Sequence, residues 1–196
     1  MKILLILTLS LFSGAQASSL CHPEMTLSEL RALVEEVRDT HFPELENHDL
    51  PFQEYNSDSY YFQASIHISK LLRGRKKFCL DVNEELLACP PSTGALLAII
   101  THELSHFQDY HRLPILGVAG LGVKYGLSKK YRRRYERLTD LKAVHLGHGR
   151  GLSEYRLWLY ERLTPKARAA KKYYYLTPEE ISSLSSEAQH PENPSR

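Results

Sequence analysis

The run Thr93-Gly94-Ala95-Leu96-Leu97-Ala98-Ile99-Ile100 is apolar almost all round and contains no proline, the pattern of a helix buried in a core. It continues without a break into Thr101-His102-Glu103-Leu104-Ser105-His106. A helix this apolar that still carries two histidines and a glutamate limits what the chain can become, because each buried polar group needs a partner. With about 3.6 residues per turn, His102 and His106 lie one turn apart on the same face. Two imidazoles placed so can converge on one metal ion, with Glu103 beside them. The plain competing reading is a pair of core or surface histidines with an accidental glutamate between them.

A tetrahedral metal site needs a third protein ligand and an open position for water. Downstream, in Tyr135-Glu136-Arg137-Leu138-Thr139-Asp140-Leu141-Lys142-Ala143, the residues Glu136, Asp140 and Ala143 fall on one helical face. Glu136 can ligate the metal while Asp140 accepts the outer N–H of a ligand histidine. The alternative is a solvated charged helix in which Glu136 pairs with a neighbouring arginine of Arg132-Arg133-Arg134. A third histidine on the motif helix itself is excluded: Asp109 and Arg112 stand where the H-E-x-x-H-x-x-G-x-x-H pattern has Gly and His, and His111 is one position off.

His102-Glu103-x-x-His106 followed by Glu136-x-x-x-Asp140 resembles the gluzincin metallopeptidases, over roughly residues 76 to 146. The resemblance implies a Zn2+ cofactor held by His102, His106 and Glu136, with Glu103 as general base and Asp140 orienting a ligand histidine. It also implies a further donor for the oxyanion after the third ligand; His145, His148, Arg150, Tyr155 and Arg156 are the candidates, and Tyr155 is preferred.

The chain has 196 residues, 42% hydrophobic and 24% charged, which is material for one globular domain. A formal net charge of +2 gives no footprint for nucleic acid. Met1-Lys2, the apolar Ile3 to Phe12 and Ala15-Gln16-Ala17 have the form of a secretory signal peptide spanning residues 1–17. Export of bacterial style, to the periplasm or the medium, is therefore expected, and with it a disulfide. Cys79 and Cys89 are the expected pair, with Cys21 left over. The mature domain is expected over 18–188 and a disordered tail over 189–196.

Thr26-Leu27-Ser28-Glu29 makes a capping box for an amphipathic helix that ends before Pro43. Residues 43–58 read as a loop, with His41 and His48 solvated. Tyr60 to Ile68 and Lys76 to Val82 read as an antiparallel strand pair turning at Arg73-Gly74-Arg75 and packed on the motif helix. The apolar, glycine-rich stretch from Leu113 to Gly126 is either a packed connector or, with the basic run from Lys129 to Arg134, a flap or a contact for a membrane or cell-wall surface. The second site helix should stop near Gly147, His148-Gly149-Arg150-Gly151 should be a flexible turn, and Ser153 should cap a short helix. Thr164-Pro165 and Thr177-Pro178 mark two more helix starts. The tyrosines Tyr173 to Tyr175 and the last helices are placed to cover a cleft.

The expected fold is α+β: a mostly helical, zincin-like domain with a small antiparallel sheet on the motif helix. The expected function is that of an exported, monomeric zinc peptidase acting on peptide or protein substrates. A non-catalytic exported protein that binds cell wall or membrane and keeps a structural metal is the alternative.

Overall fold

The computed structural model describes residues 21–189, so the expected signal peptide and most of the expected tail lie outside the described residues. The fold is α+β and mostly helical, as expected. Helix α1 (Leu27–His41) starts at the expected capping box: Glu29 N donates to Thr26 Oγ1 and Thr26 N to Glu29 Oε2. Leu30, Val34 and Val37 form its buried stripe.

After a 3-10 turn at Pro43–Leu45 come strands β1 (Phe52–Glu54) and β2 (Phe62–Ile66), a short helix α2 (Ile68–Leu71), and strand β3 (Phe78–Val82). The sheet order is β1-β3-β2, with β2 antiparallel and β1 parallel to β3. The sheet is therefore mixed, and β1 lies in the stretch read as a loop. A three-residue strand with Gln53 and Glu54 exposed carries no alternation to read, and its place depends on pairing with the middle strand: Leu80 N donates to Pro51 O and Tyr55 N to Val82 O. Strand β3 is buried along its whole length. On its second face Asp81 accepts from Gln63 Nε2 at 3.0 Å and Ser65 Oγ at 2.9 Å, which satisfies a carboxylate that simple alternation would place in water.

Helix α3 (Glu84–Ala88) leads to the motif helix α4 (Thr93–Arg112), whose N-cap is Ser92 accepting from Ala95 N. From Ala98 to Gln108 every residue of α4 is buried. Then follow α5 (Ile115–Leu127), α6 (Lys129–Ala143), a π-turn at Val144–His148, α7 (Gly149–Arg162), α8 (Pro165–Tyr174) and α9 (Pro178–Gln189). Thr164 caps α8 as expected. Helix α4 is the axis of the molecule, touching α1, α6, α7 and β2.

Two readings of the segment after α6 are corrected. Gly147, at φ +92°, does break the helix there. The supposed flexible turn at 148–151, however, is mostly the first turn of α7, and Ser153 lies inside that helix and does not cap it. The glycines serve contact: a Cβ on Gly151 would lie 2.1 Å from Gly94 O, so α7 crosses α4 with backbone nearly touching backbone.

The disulfide also differs from expectation. Cys21 pairs with Cys89, with Cα atoms 4.9 Å apart, and Cys79 is free and buried. Cys79 sits in the middle strand with its Sγ 3.0 Å from His67 Nε2, while Cys89 ends α3 beside the incoming chain, where His22 N donates to Pro90 O. Closing 68 residues of sequence separation stabilises the fold by about 4 kcal/mol through the lost freedom of the unfolded chain.

Candidate metal centre and its cavity

His102 and His106 project from one face of α4 with their Nε2 atoms 3.2 Å apart. From α6, Glu136 Oε2 lies 3.2 Å from His102 Nε2 and 3.3 Å from His106 Nε2. Three donor atoms spaced this way form one face of a near-regular tetrahedron whose centre is about 2.0 Å from each, the length of Zn–N and Zn–O bonds. They are the one group among the described residues able to hold a metal ion with three such ligands. The donor set suits such an ion: two imidazoles, which are neutral when they ligate, and a carboxylate, all buried.

The supports of this triangle are built in. Asp140, one turn beyond Glu136 on α6, places Oδ1 2.8 Å from His102 Nδ1; the contact is close without being aligned as a hydrogen bond, and its charge favours a proton on Nδ1, which leaves Nε2 for the centre. Asp140 is held in turn by Arg156 of α7 at 2.7 Å and by the main-chain N–H of Leu176 at 2.8 Å. Tyr125 of α5 donates to Glu136 Oε1. Glu103 does not join the triangle; its Oε2 accepts from Ala64 N of β2 at 2.7 Å, and Oε1 has no hydrogen bond to a described residue.

Electrostatics separate the carboxylates. Burial pushes the Glu103 carboxyl up, against the pull of His102 and His106. Burial acts the same way on Glu136 and Asp140, but there it is outweighed. The two histidines hold Glu136 well below the usual range, and Arg156 with His102 holds Asp140 down. Burial opposes a charge on His102, yet the contact with Asp140 more than offsets it, and without metal the imidazolium persists up to about 10. The cluster thus draws a positive charge to its centre and keeps beside it one carboxyl of raised pKa, the kind suited to proton transfer.

A cavity of about 330 Å³ opens beside the cluster, lined by Glu103, His106 and Glu136 among others. The structure brings together all five residues singled out in the H-E-x-x-H and E-x-x-x-D patterns. Of the oxyanion candidates, Tyr155 and Arg156 reach the cavity wall. Tyr155 is buried and stacks on Trp158, whereas Arg156 is committed to Asp140. His148 instead meets His41, with Nε2 atoms 3.2 Å apart, Arg150 pairs with Glu154 at the surface, and His145 is exposed. His48 likewise pairs with His111, at 2.8 Å, so neither His41 nor His48 is simply solvated.

Four participants escaped the sequence reading: Tyr125, Lys171 and the main-chain N–H groups of Ala64 and Leu176. The tyrosine run gave a signal for its last member, because Tyr175 packs 5.8 Å from the His102 ring and lines the cavity. The stretch containing Tyr125 reads as a glycine-rich connector, and Lys171 reads as one more cation on a basic helix. Comparison of the chain with protein-family models, with characterised proteins and with solved structures gives no match.

Proposed function

We propose that the protein is an exported zinc-dependent peptidase. The observation that carries this reading is the triangle of His102, His106 and Glu136 donor atoms with Glu103 standing outside it, on the cavity, tied to the sheet. A bound Zn2+ would supply Lewis acidity toward a water and the scissile carbonyl. The chain's own residues do the rest. Asp140 and Tyr125 fix the orientation of ligand side chains. Glu103, with Oε2 anchored on Ala64, has Oε1 free to take a proton from the attacking water and return it to the leaving amine. Tyr155, and Tyr175 with its ring 5.8 Å from that of His102, are the cavity-wall hydroxyl groups we assign to steady the developing oxyanion.

The sheet supports a peptide substrate. Tyr61 O accepts from Asn83 N and His67 N donates to Lys77 O, on the two flanks of β3, so by alternation the main-chain groups of Phe62 and Ile66 and the carbonyl of Ala64 face the other way, toward the sheet edge, while the Ala64 N–H is taken by Glu103. An extended chain can pair with that edge over the motif helix. The Cys21–Cys89 disulfide supports export, since such bonds persist in oxidising compartments. For the alternative of a surface-binding protein there is one favourable feature, α5 with Leu116, Val123 and Leu127 exposed. It is compatible with a peptidase that works at a membrane or cell wall, and a purely structural metal would leave the position of Glu103 without a purpose.

The test is metal content and turnover together. Protein purified without added metal should hold about one zinc per chain, and Glu136→Ala should lose it. Glu103→Gln should keep the zinc while peptide hydrolysis falls by about 10³-fold. Equal zinc in wild type and Glu136→Ala, or full turnover in Glu103→Gln, would end this reading.

A further inference from the structure

The cavity that holds Glu103, His106 and Glu136 also has Lys171 of α8 in its wall. Lys171 is only 8% exposed. Its Nζ forms no hydrogen bond or ion pair with a described residue and lies 3.5 Å from the ring centre of Tyr60 and 5.0 Å from that of Tyr175. Aromatic faces attract an ammonium but replace its lost hydration poorly, and a buried cation without an anion is an expensive arrangement.

The cavity's other charged groups each hold at least one hydrogen bond, although Arg132 Nε has none. Glu103 is bonded to Ala64, Glu136 to Tyr125 and the histidines, and Arg156 to Asp140. Arg132 donates to Tyr60 Oη and lies over the Tyr125 and Tyr174 rings. Burial, then the charge of Arg156, depresses the Lys171 ammonium to about 7, as expected for a cation short of negative charge. With Arg156 balanced by Asp140, Arg132 and Lys171 face the two carboxylates of the wall; a divalent ion at the cluster would tip that balance toward binding anions, and Lys171 is the cation left without one.

We propose that Lys171 binds a carboxylate of the substrate inside the cavity, so that the protein selects peptides presenting an acidic group there, either a terminal α-carboxylate or an Asp or Glu side chain. This rests on the peptidase reading of the same cavity. Tyr60 and Tyr175 hold the ammonium in place, and the arriving anion completes its coordination.

The test is calorimetric binding of two matched pairs: acetyl-phenylalanine against its amide, and acetyl-aspartyl amide against acetyl-asparaginyl amide. Wild type, Lys171→Met, Lys171→Gln and Lys171→Arg proteins are each titrated metal-free and zinc-loaded. In wild type at least one acid should bind tenfold or more tightly than its neutral partner in both metal states, and the pair that does so identifies the source of the carboxylate. In metal-free Lys171→Met or Lys171→Gln, whichever folds, the ratio should drop to within twofold, and Lys171→Arg should retain most of it. A ratio near one for both pairs in wild type overturns the proposal without reference to any variant, and so does a ratio unchanged by loss of the amine. Failure to hydrolyse any peptide with the acid preference intact would remove the peptidase and leave the carboxylate site. Hydrolysis without acid preference would do the reverse.

Discussion

The main-chain N–H of Ala64 donates to Oε2 of Glu103 at 2.7 Å. One hydrogen bond thereby joins the edge strand to the proposed base, so the element that would align a peptide and the group that would move its proton share one rigid support. On the strand's side the bond comes from the main chain, so only the Glu103 side chain itself could rotate and break it.

Asp140→Asn should be costly twice. Arg156 is almost fully buried and Asp140 is its ion-pair partner, so the amide leaves a buried charge uncompensated, at about 3 to 5 kcal/mol. The amide also weakens the grip on His102 Nδ1, which should lower zinc affinity by about 10- to 100-fold. Chemical denaturation and zinc competition with a chelator read the two effects separately. Unchanged zinc affinity in a folded variant would mean that Asp140 does not orient His102.

Two glycines in helices should respond in opposite ways to alanine. Gly151→Ala drives a methyl into Gly94 O and should destabilise by about 3 kcal/mol or more. Gly120→Ala meets nothing within 4 Å on α5 and should stabilise by about 0.5 to 1 kcal/mol through helix propensity. Urea midpoints of both variants against wild type check the pair.

The pH dependence of the metal-free protein holds two opposed contributions. His102 has its affinity for protons raised on folding, to about 10, so its stabilisation is full below about 6.5 and is lost as pH rises toward that value. Lys171 is depressed to about 7, so its penalty is present in acid and relieved as pH rises toward about 10.5. Between about pH 7 and 10 the two act in opposite directions. Lys171→Met should therefore reveal a stability that falls over that window, measured by denaturation at a series of pH values. Zinc competes with the His102 proton, so its affinity should climb over the same range. A flat profile in the variant would contradict the raised proton affinity of His102.

Peptide mapping without reductant should recover the 21–89 linked pair, and Cys79→Ser should leave it intact. Cys89→Ser should lower stability by about 4 kcal/mol, read in denaturant against wild type. A 79–89 linkage in the map would refute the observed pairing.

The site's inner residues could be read from the chain because each is fixed by local geometry: His102 and His106 by one helical turn, Glu136 and Asp140 by another. Helix starts at Thr26 and Thr164 were legible for the same reason. Pairings over distance were not. Phe52–Glu54 becomes a strand only because β3 has a free side, and no property of Phe-Gln-Glu announces it. Cys79 and Cys89 are near in sequence, but the middle strand takes Cys79 away and residues far upstream deliver Cys21. Gly151 looked like a hinge because a glycine that allows chain bending and a glycine that allows close helix contact have the same side chain. Lys171 gave no signal, since nothing in a basic helix shows which cation faces inward.

Asp140 takes its third contact from the main chain of Leu176, in the link between the last two helices. The support of the metal ligands is therefore finished by one of the last described stretches of the chain to leave the ribosome. While synthesis is under way, both histidines and Glu136 exist without the geometry that makes them strong ligands. On the proposed function, a chain threaded unfolded across a membrane would stay poor in metal and inert until its C-terminal helices dock on the far side, so the order of assembly would itself delay the proposed activity.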